Sequence, residues 1–328
     1  MIDSFFLPSF LFYDDPMTNK IPNPQSYPWQ SERFWRIASQ LILVFVVGVV
    51  IAVFASNLTR NLQQLGIEFG FGFLQHQASF DIAETPIPYQ PSDSYGHALI
   101  IGLINSLRIA IAGLVLSTIV GIGAGAARLS DNWLVRNLSW VYVETFRNTP
   151  LLLQLLFWYS AVFLSLPNTE NKLSLGNLIY VSQGGIEFPW FTMAPEFSAL
   201  LLGLTFYTGS FIAEIVRGGI QSIPKGQWEA STSLGLNTLS TLRLVIFPQA
   251  LRVIIPPLTS QYLNLTKNSS LGIAIGYPDI YFVASTTFNQ TGRAVEVMLL
   301  IMLTYLSISL TISLFMNIFN RNVRIKES

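Results

Sequence analysis

The chain alternates between long apolar stretches and shorter polar connections. Each stretch approaches the roughly 20 apolar residues that an α-helix needs to cross a bilayer. A membrane β-barrel would instead show short segments that alternate apolar and polar residues, and that pattern is not evident. The pattern predicts an all-α polytopic membrane protein with about six transmembrane helices, at residues 37–55, 98–127, 138–164, 197–216, 250–276 and 294–319.

Some residues inside these stretches carry specific structural expectations. Gly121 and Gly125 are four positions apart, a spacing that allows close helix packing, and packing within the chain is favoured. Pro150 interrupts the third stretch and removes a backbone hydrogen bond. Glu144 and Arg147 lie three positions apart, so they are expected to pair on one helix face.

The composition excludes several other classes of protein. The chain is 51% hydrophobic and 11% charged, whereas soluble domains carry about 25% charged residues. Its formal net charge of zero argues against a nucleic-acid-binding surface. Cysteine is absent, and neither His76 nor His97 has a second His or Cys at ligand spacing. We therefore predict neither catalytic residues nor a metal site.

Lysine and arginine concentrate in alternate connections. One set of connections holds 13 of the 18 basic residues and the opposite set holds 3, while Arg108 and Lys267 lie inside apolar stretches. Because basic residues accumulate in cytoplasmic loops, both termini and the loop around Glu229 are predicted to face the cytoplasm. The larger set comprises Lys20, Arg33, Arg36, Arg128, Arg136, Arg147, Arg217, Lys225, Arg243, Arg252, Arg321, Arg324 and Lys326.

Residues 224–235 predict a short helix carried on one of these loops. Pro224 suits a first helical turn, where its missing N–H is no loss. Trp228 would be a natural anchor for a pocket at a protein interface. Gly235 would either end the helix in a left-handed conformation or permit close approach of another chain. Helices this short are marginal alone, so docking to a partner is expected to stabilise this one.

The same loop resembles the EAA loop of permeases in bacterial ABC importers. Glu229 and Ala230 are followed at the family's spacing by Gly235 and Pro248, with Ser231 in place of the usual Ala. The resemblance extends over about residues 105–321. It is carried by residues 142–152, 211–219 and 252–271, and residues 262–279 with the outer segment 70–94 are most similar to general L-amino-acid and glutamate/glutamine/aspartate/asparagine permeases.

This resemblance implies the type I importer permease fold and a set of partners. The implied organisation is a cytoplasmic tail (1–36), an extra first helix (37–55), a periplasmic segment (56–96), a permease core (97–320) containing the coupling loop (218–249), and a second tail (321–328). The partners would be two ABC ATPases, a second permease subunit (a paralogue), a periplasmic amino-acid-binding protein and inner-membrane lipid. ATP and Mg²⁺ would bind the ATPases, and this chain would hold no cofactor.

Two groups of residues are the candidates for function. Coupling to the ATPase is assigned to Lys225, Gly226, Gln227, Trp228, Glu229, Ala230, Ser231, Leu234 and Gly235. The candidate substrate pathway comprises Asn105, Ser106, Arg108, Tyr207, Thr208, Ser210, Glu214, Lys267, Asn268, Ser269 and Ser270. A zwitterionic amino acid needs a cation for its carboxylate, which Lys267 could supply from a polar break at 264–270. An ion pair with Arg217 is the favoured role of Glu214, ahead of substrate contact or gating.

Two other functions remain as alternatives. An ion-coupled secondary transporter would need paired broken helices and carboxylates inside the membrane. A membrane scaffold or enzyme subunit would need a cluster of residues that carries chemistry, and none is found. The chain also has no GxxxxGK[ST] sequence to bind ATP phosphates, so the energy for an importer must come from another chain.

Overall fold

The computed structural model describes residues 32–64, 69–176 and 178–323. The chain divides into two compact units, Met1–Phe69 and Gly70–Ser328. Most of both predicted tails, residues 1–31 and 324–328, lies outside the described residues, as does part of the predicted periplasmic segment, residues 65–68.

The smaller unit is described as one helix. Helix α1 (Glu32–Gln64) contains the apolar span Phe34–Asn61, in agreement with the predicted first transmembrane helix. The larger unit begins at Gly70, so residues 70–96 of the predicted periplasmic segment lie in the same compact unit as the core helices. In this part Phe73, Ala78 and Ile82 are buried in a cluster that also contains residues of three core helices.

The larger unit is mostly helical. Its helices are α2 (Tyr95–Ala127), α3 (Trp133–Asn148), α4 (Leu151–Leu156), α5 (Pro195–Gln221), α6 (Lys225–Ser233), α7 (Thr238–Thr241), α8 (Phe247–Asn268), α9 (Ile280–Thr291) and α10 (Ala294–Val323). Irregular helical turns occupy Gly72–Gln75, Phe157–Val162, Phe163–Ser165, Leu242–Ile246 and Ser269–Ile275. Among the described residues, five helical segments are long and apolar enough to cross a membrane.

The predicted third span is broken into two helices. Thr149 has an extended backbone (φ −99°, ψ 125°), which is the conformation that a following proline favours. Helix α3 therefore ends at Asn148 and α4 begins at Leu151. The Gln154 side chain donates hydrogen bonds to the carbonyl oxygens of Phe146 and Thr149, each at 2.9 Å, and so satisfies groups that the break exposes.

Residues 168–196 lie between the predicted third and fourth spans and contain a small sheet. Strands β1 (Leu173–Leu175), β2 (Ile179–Ser182), β3 (Gly185–Phe188) and β4 (Phe191–Met193) form an antiparallel meander in sequence order. Val181 pairs with Ile186, and Ile186 pairs with Met193. These three side chains pack on the main core cluster, so one apolar face holds the sheet against the N-terminal end of α5.

Helices α2 and α5 pack at very short range because both present glycine to the other. A Cβ added to Gly121 would lie 2.5 Å from Cβ of Ile212, and one added to Gly125 would lie 2.7 Å from the carbonyl oxygen of Ala213. The expectation that these glycines serve packing within the chain is confirmed. In a bilayer such packing is a main source of helix association, since lipid tails are as apolar as leucine.

Gly121→Ala should lower the free energy of unfolding by about 1–3 kcal/mol, because the new methyl group must displace Ile212 or the α5 backbone. Gly123→Ala is the matched control on the same helix, since its Cβ would have nothing within 4 Å. Thermal unfolding of the purified chain in detergent measures both. Equal stability of the two variants would contradict the close approach of α2 and α5.

Candidate functional site

Helix α6 is held against its own chain by one face. Trp228 is half-buried in a cluster with Ile223, Ile246 and Ile254, which lie at the end of α5 and around the start of α8. Ser231 is buried and donates a hydrogen bond of 2.6 Å to the carbonyl oxygen of Gln227. This indole therefore packs within the subunit and holds α6 in place, while its predicted contact with a partner protein stays a prediction.

The other face of α6 is open. Lys225, Gly226, Gln227, Glu229 and Ala230 are all exposed. Immediately after the helix, Leu234 is 80% exposed, and Leu239 in α7 is 75% exposed. We call these residues, together with Gly235, the α6 surface. It consists of two exposed leucines, Leu234 and Leu239, beside a charged and polar helix face.

Gly235 ends α6 in a left-handed conformation. Its φ is +77°, and an added Cβ would meet nothing within 4 Å. The Gly235 N–H donates to the carbonyl oxygen of Thr232 (2.9 Å) and the Leu236 N–H donates to that of Ser231 (3.1 Å). The left-handed cap that the sequence predicts is therefore confirmed, and close approach of another chain at Gly235 stays a prediction.

Glu214 is the shared partner of arginines from three helical regions. Its Oε2 atom lies 2.7 Å from Nη1 of Arg128, which follows α2, and 3.9 Å from Nη1 of Arg147 in α3. Arg217, one turn further along α5, pairs with both carboxylate oxygens. The favoured pairing with Arg217 is confirmed. The expected Glu144–Arg147 pair is wrong, since Glu144 accepts from Asn148 (3.2 Å) and Arg147 turns toward Glu214.

At the N-terminal half of α2, the predicted pathway residues are engaged with neighbouring backbone. Asn105 is buried and its amide donates to the carbonyl oxygens of Glu84 (2.8 Å) and Pro278 (3.0 Å). The Ser106 hydroxyl accepts from the backbone N–H of Ile280 at 2.9 Å. These contacts favour a packing role for both residues, because they join α2 to the start of α9.

Arg108 lies beside the same region and has a more open setting. Its guanidinium pairs with Glu84 at 2.8 Å and lies over the Phe197 ring at 5.3 Å. Burial raises the pKa of the Glu84 carboxyl, against a lowering by the Arg108 guanidinium. The second oxygen of Glu84 is buried and has no hydrogen-bond partner among the described residues. Sequence reasoning missed Glu84 because nothing in the loop sequence indicates which helix it meets.

The pathway candidates on α5 and α8 lie in different surroundings. Thr208 and Ser210 are buried in α5, and the Ser210 hydroxyl donates to the carbonyl oxygen of Tyr207. Lys267 is exposed at the end of α8, opposite the end that holds α6. The predicted polar break at 264–270 begins later than expected, since α8 continues through Asn268 and only Ser269 and Ser270 enter the following 3-10 turn.

The structure shows no arrangement typical of a metal centre. Across residues 32–64, 69–176 and 178–323, no group of three or more His, Asp or Glu side chains could hold a metal ion.

Comparison with known proteins gives one consistent result. Residues 117–325 match the family described as "Binding-protein-dependent transport system inner membrane component". The general L-amino acid transport system permease protein AapQ of Rhizobium johnstonii is 38% identical, over 88% of this chain and 91% of AapQ. The glutamate/glutamine/aspartate/asparagine transport system permease protein BztB of Rhodobacter capsulatus is 36% identical, over 90% of this chain and 95% of BztB.

A solved structure shares the fold. A chain from the crystal structure of an amino acid ABC transporter with histidines superposes with a TM-score of 0.56 at 27% identity, over 70% of this chain and 95% of that chain.

Glu214→Gln should lower the free energy of unfolding by about 1–3 kcal/mol, because three guanidiniums lose the carboxylate that they share. Glu229→Gln is the control: Glu229 is exposed and forms no ion pair within the described residues, so its loss should change stability by less than about 0.5 kcal/mol. Thermal unfolding in detergent compares them. If both variants behave alike, the shared carboxylate is not a structural element.

Proposed function

This chain belongs to the family of binding-protein-dependent transport system inner membrane components, and from that membership we propose that it carries amino acids inward as one permease subunit of an ATP-driven importer. The printed names of its relatives support amino acids as the solute. Family membership also implies ATPase and binding-protein partners. The alternative of an ion-coupled secondary transporter has no comparable support.

The α6 surface is the observation that carries this proposal. It combines a helix fixed on one side by Trp228 with two leucines, Leu234 and Leu239, exposed on the other. Exposed leucines on a polar loop cost free energy in water, so a protein partner that covers them would be stabilising. We assign this surface to the ATPase, which binds ATP and Mg²⁺ on its own chain.

The orientation follows from the same assignment. ATPases that bind α6 are cytoplasmic, so the α6 end of the bundle faces the cytoplasm and the β1–β4 sheet lies on the periplasmic side. The excess of basic residues in the α6-side connections supports this orientation in the inner membrane. Both termini would then be cytoplasmic, and the sheet would offer the binding protein a landing surface.

The packing of α6 on its own chain suggests how a conformational change would be transmitted from the ATPase to the solute path. The cluster beneath Trp228 contains Ile223, just after α5, and Ile254 in α8. A displacement of α6 by the ATPase would therefore move the ends of α5 and α8 together. Glu214 then links α5 to α2 and α3 through Arg128 and Arg147, so a rigid-body change of several helices is the expected response.

The solute path itself is proposed to lie between this chain and a second permease subunit, a paralogue. Lys267 is exposed on the isolated subunit, yet it sits at the end of a long apolar helix. An exposed ammonium there is suited to a polar path shared by two subunits, where it would attract the carboxylate of an amino acid. Asn268 and Ser270, its neighbours in the chain, would contribute donors and acceptors.

Leu234→Asp should abolish ATP-dependent uptake in proteoliposomes and reduce the ATPase that co-purifies, because a carboxylate replaces an apolar contact of the α6 surface. Leu234→Met is the matched control and should keep most of both activities, since it remains apolar. Uptake by the wild-type chain under an ion gradient, with no ATPase present, would overturn the proposed function and restore the secondary transporter.

Lys267→Ala should raise the KM for amino-acid uptake about tenfold or more, because the solute carboxylate loses a charged partner. Binding of the ATPase should not change, since Lys267 lies at the far end of α8 from α6. Lys267→Arg keeps the charge and should recover much of the affinity. Uptake kinetics that are identical for Lys267→Ala and wild type would remove Lys267 from the solute path.

A further inference from the structure

A basic pocket opens at the α6 end of the bundle, outside the α6 surface and apart from Lys267. It has a volume of about 460 Å³ and is lined by Arg128, Arg136, Asn137, Trp140, Arg217 and Gln221. Arg128 directly follows α2, three of the other residues come from the first half of α3, and the last two come from the C-terminal part of α5. Three helical regions therefore converge on one cluster of guanidiniums.

The positive charge of this pocket is not balanced within the described part of the chain. Glu214 is the carboxylate that pairs with Arg128 and with Arg217, and it is shared further with Arg147. No carboxylate among the described residues lies within 4.0 Å of the Arg136 guanidinium. That guanidinium donates a hydrogen bond of 3.0 Å to the carbonyl oxygen of Ser130. The pocket thus has donors and charge available for an anion.

The stability of α3 does not explain an arginine at position 136, close to the start of this helix. Arg128 and Arg217 lie at or near helix C-termini, where a cation is favourable. Arg136 is the fourth residue of α3, near the positive end of the helix dipole, where a cation is unfavourable. A bound anion would reverse that penalty, because it would interact with both the guanidinium and the helix terminus.

The surroundings of the pocket indicate which kind of anion fits. Trp140 in the pocket and Trp133, seven residues earlier on α3, are 51% and 66% exposed, and the neighbouring Leu138 and Val141 are also exposed. Tryptophan concentrates at membrane–water interfaces, and exposed Leu and Val on a membrane helix can contact acyl chains. The basic pocket is thus continuous with an apolar face, as a lipid headgroup and its tails require.

We propose that this pocket binds the phosphate of an anionic phospholipid headgroup. Arg128, Arg136 and Arg217 supply the charge, Asn137 and Gln221 supply polar contacts, and Trp140 marks the level of the interface. Basic pockets between membrane helices bind acidic headgroups by the same chemistry. This inference rests on insertion of the chain in a membrane and does not require the proposed transport cycle.

The test is native mass spectrometry of the full chain with its co-purifying subunits, titrated with phosphatidylglycerol or with phosphatidylcholine of the same acyl chains. Arg136→Gln should lower the affinity for phosphatidylglycerol about fivefold and leave phosphatidylcholine unchanged. Arg136→Lys should recover most of the affinity. Arg243→Gln is the matched control, because Arg243 is exposed and lies outside the pocket, and it should have no effect.

A second variant separates lipid binding from folding. Asn137→Asp places a carboxylate in the pocket while leaving Arg136 intact, and a negative charge near the N-terminus of α3 does not weaken the helix. It should reduce phosphatidylglycerol affinity with no loss of thermal stability. Unchanged affinity in both Arg136→Gln and Asn137→Asp would overturn the proposal.

Two further outcomes would also overturn it. Inorganic phosphate that binds as tightly as phosphatidylglycerol would show that the pocket takes free phosphate and that the acyl chains add no affinity. Normal lipid binding by Arg136→Gln, with less ATPase co-purifying, would make the pocket a protein contact. The titration involves no transport, so failure of this inference leaves the proposed function standing, and failure of uptake leaves this inference standing.

Discussion

The close packing of α2 against α5 is the constraint on which the larger unit depends. Glycines on both helices bring backbone next to backbone. This packing places Arg128, at the end of α2, within 2.7 Å of Glu214 in α5. It also leaves the N-terminal half of α2 free to receive residues 70–94 and α9, which Asn105 and Ser106 join by hydrogen bonds to backbone.

The two ends of α5 contact different parts of the chain. Its N-terminal end supports the small sheet through Val181, Ile186 and Met193, and its C-terminal end leads through Ile223 to α6. A helix of 27 residues spans about 40 Å, so one rigid element connects both faces of a membrane. This arrangement is suited to a protein in which a signal at one face must alter access at the other.

The sequence predicted the helical spans and the short loop helix because hydrophobic length and helix-ending residues are local signals. Pro150 and Gly235 show this well: each sets a helix boundary through its own backbone preference.

The sequence could not predict which side chains meet across helices. Arg147 was assigned to its neighbour Glu144 by spacing, whereas the fold offered it Glu214 from a helix much later in the chain. The residue type of Trp228 likewise does not reveal that one side of its ring packs on Ile223, Ile246 and Ile254 of the same chain. The sheet escaped prediction because its strands are three or four residues long.

The sharing of Glu214 has a consequence for biogenesis. Arg128 and Arg147 are synthesised before α5, so both leave the ribosome with their carboxylate partner still untranslated. The ion pairs that join α2 and α3 to α5 can therefore form only after the nascent chain has supplied residue 214.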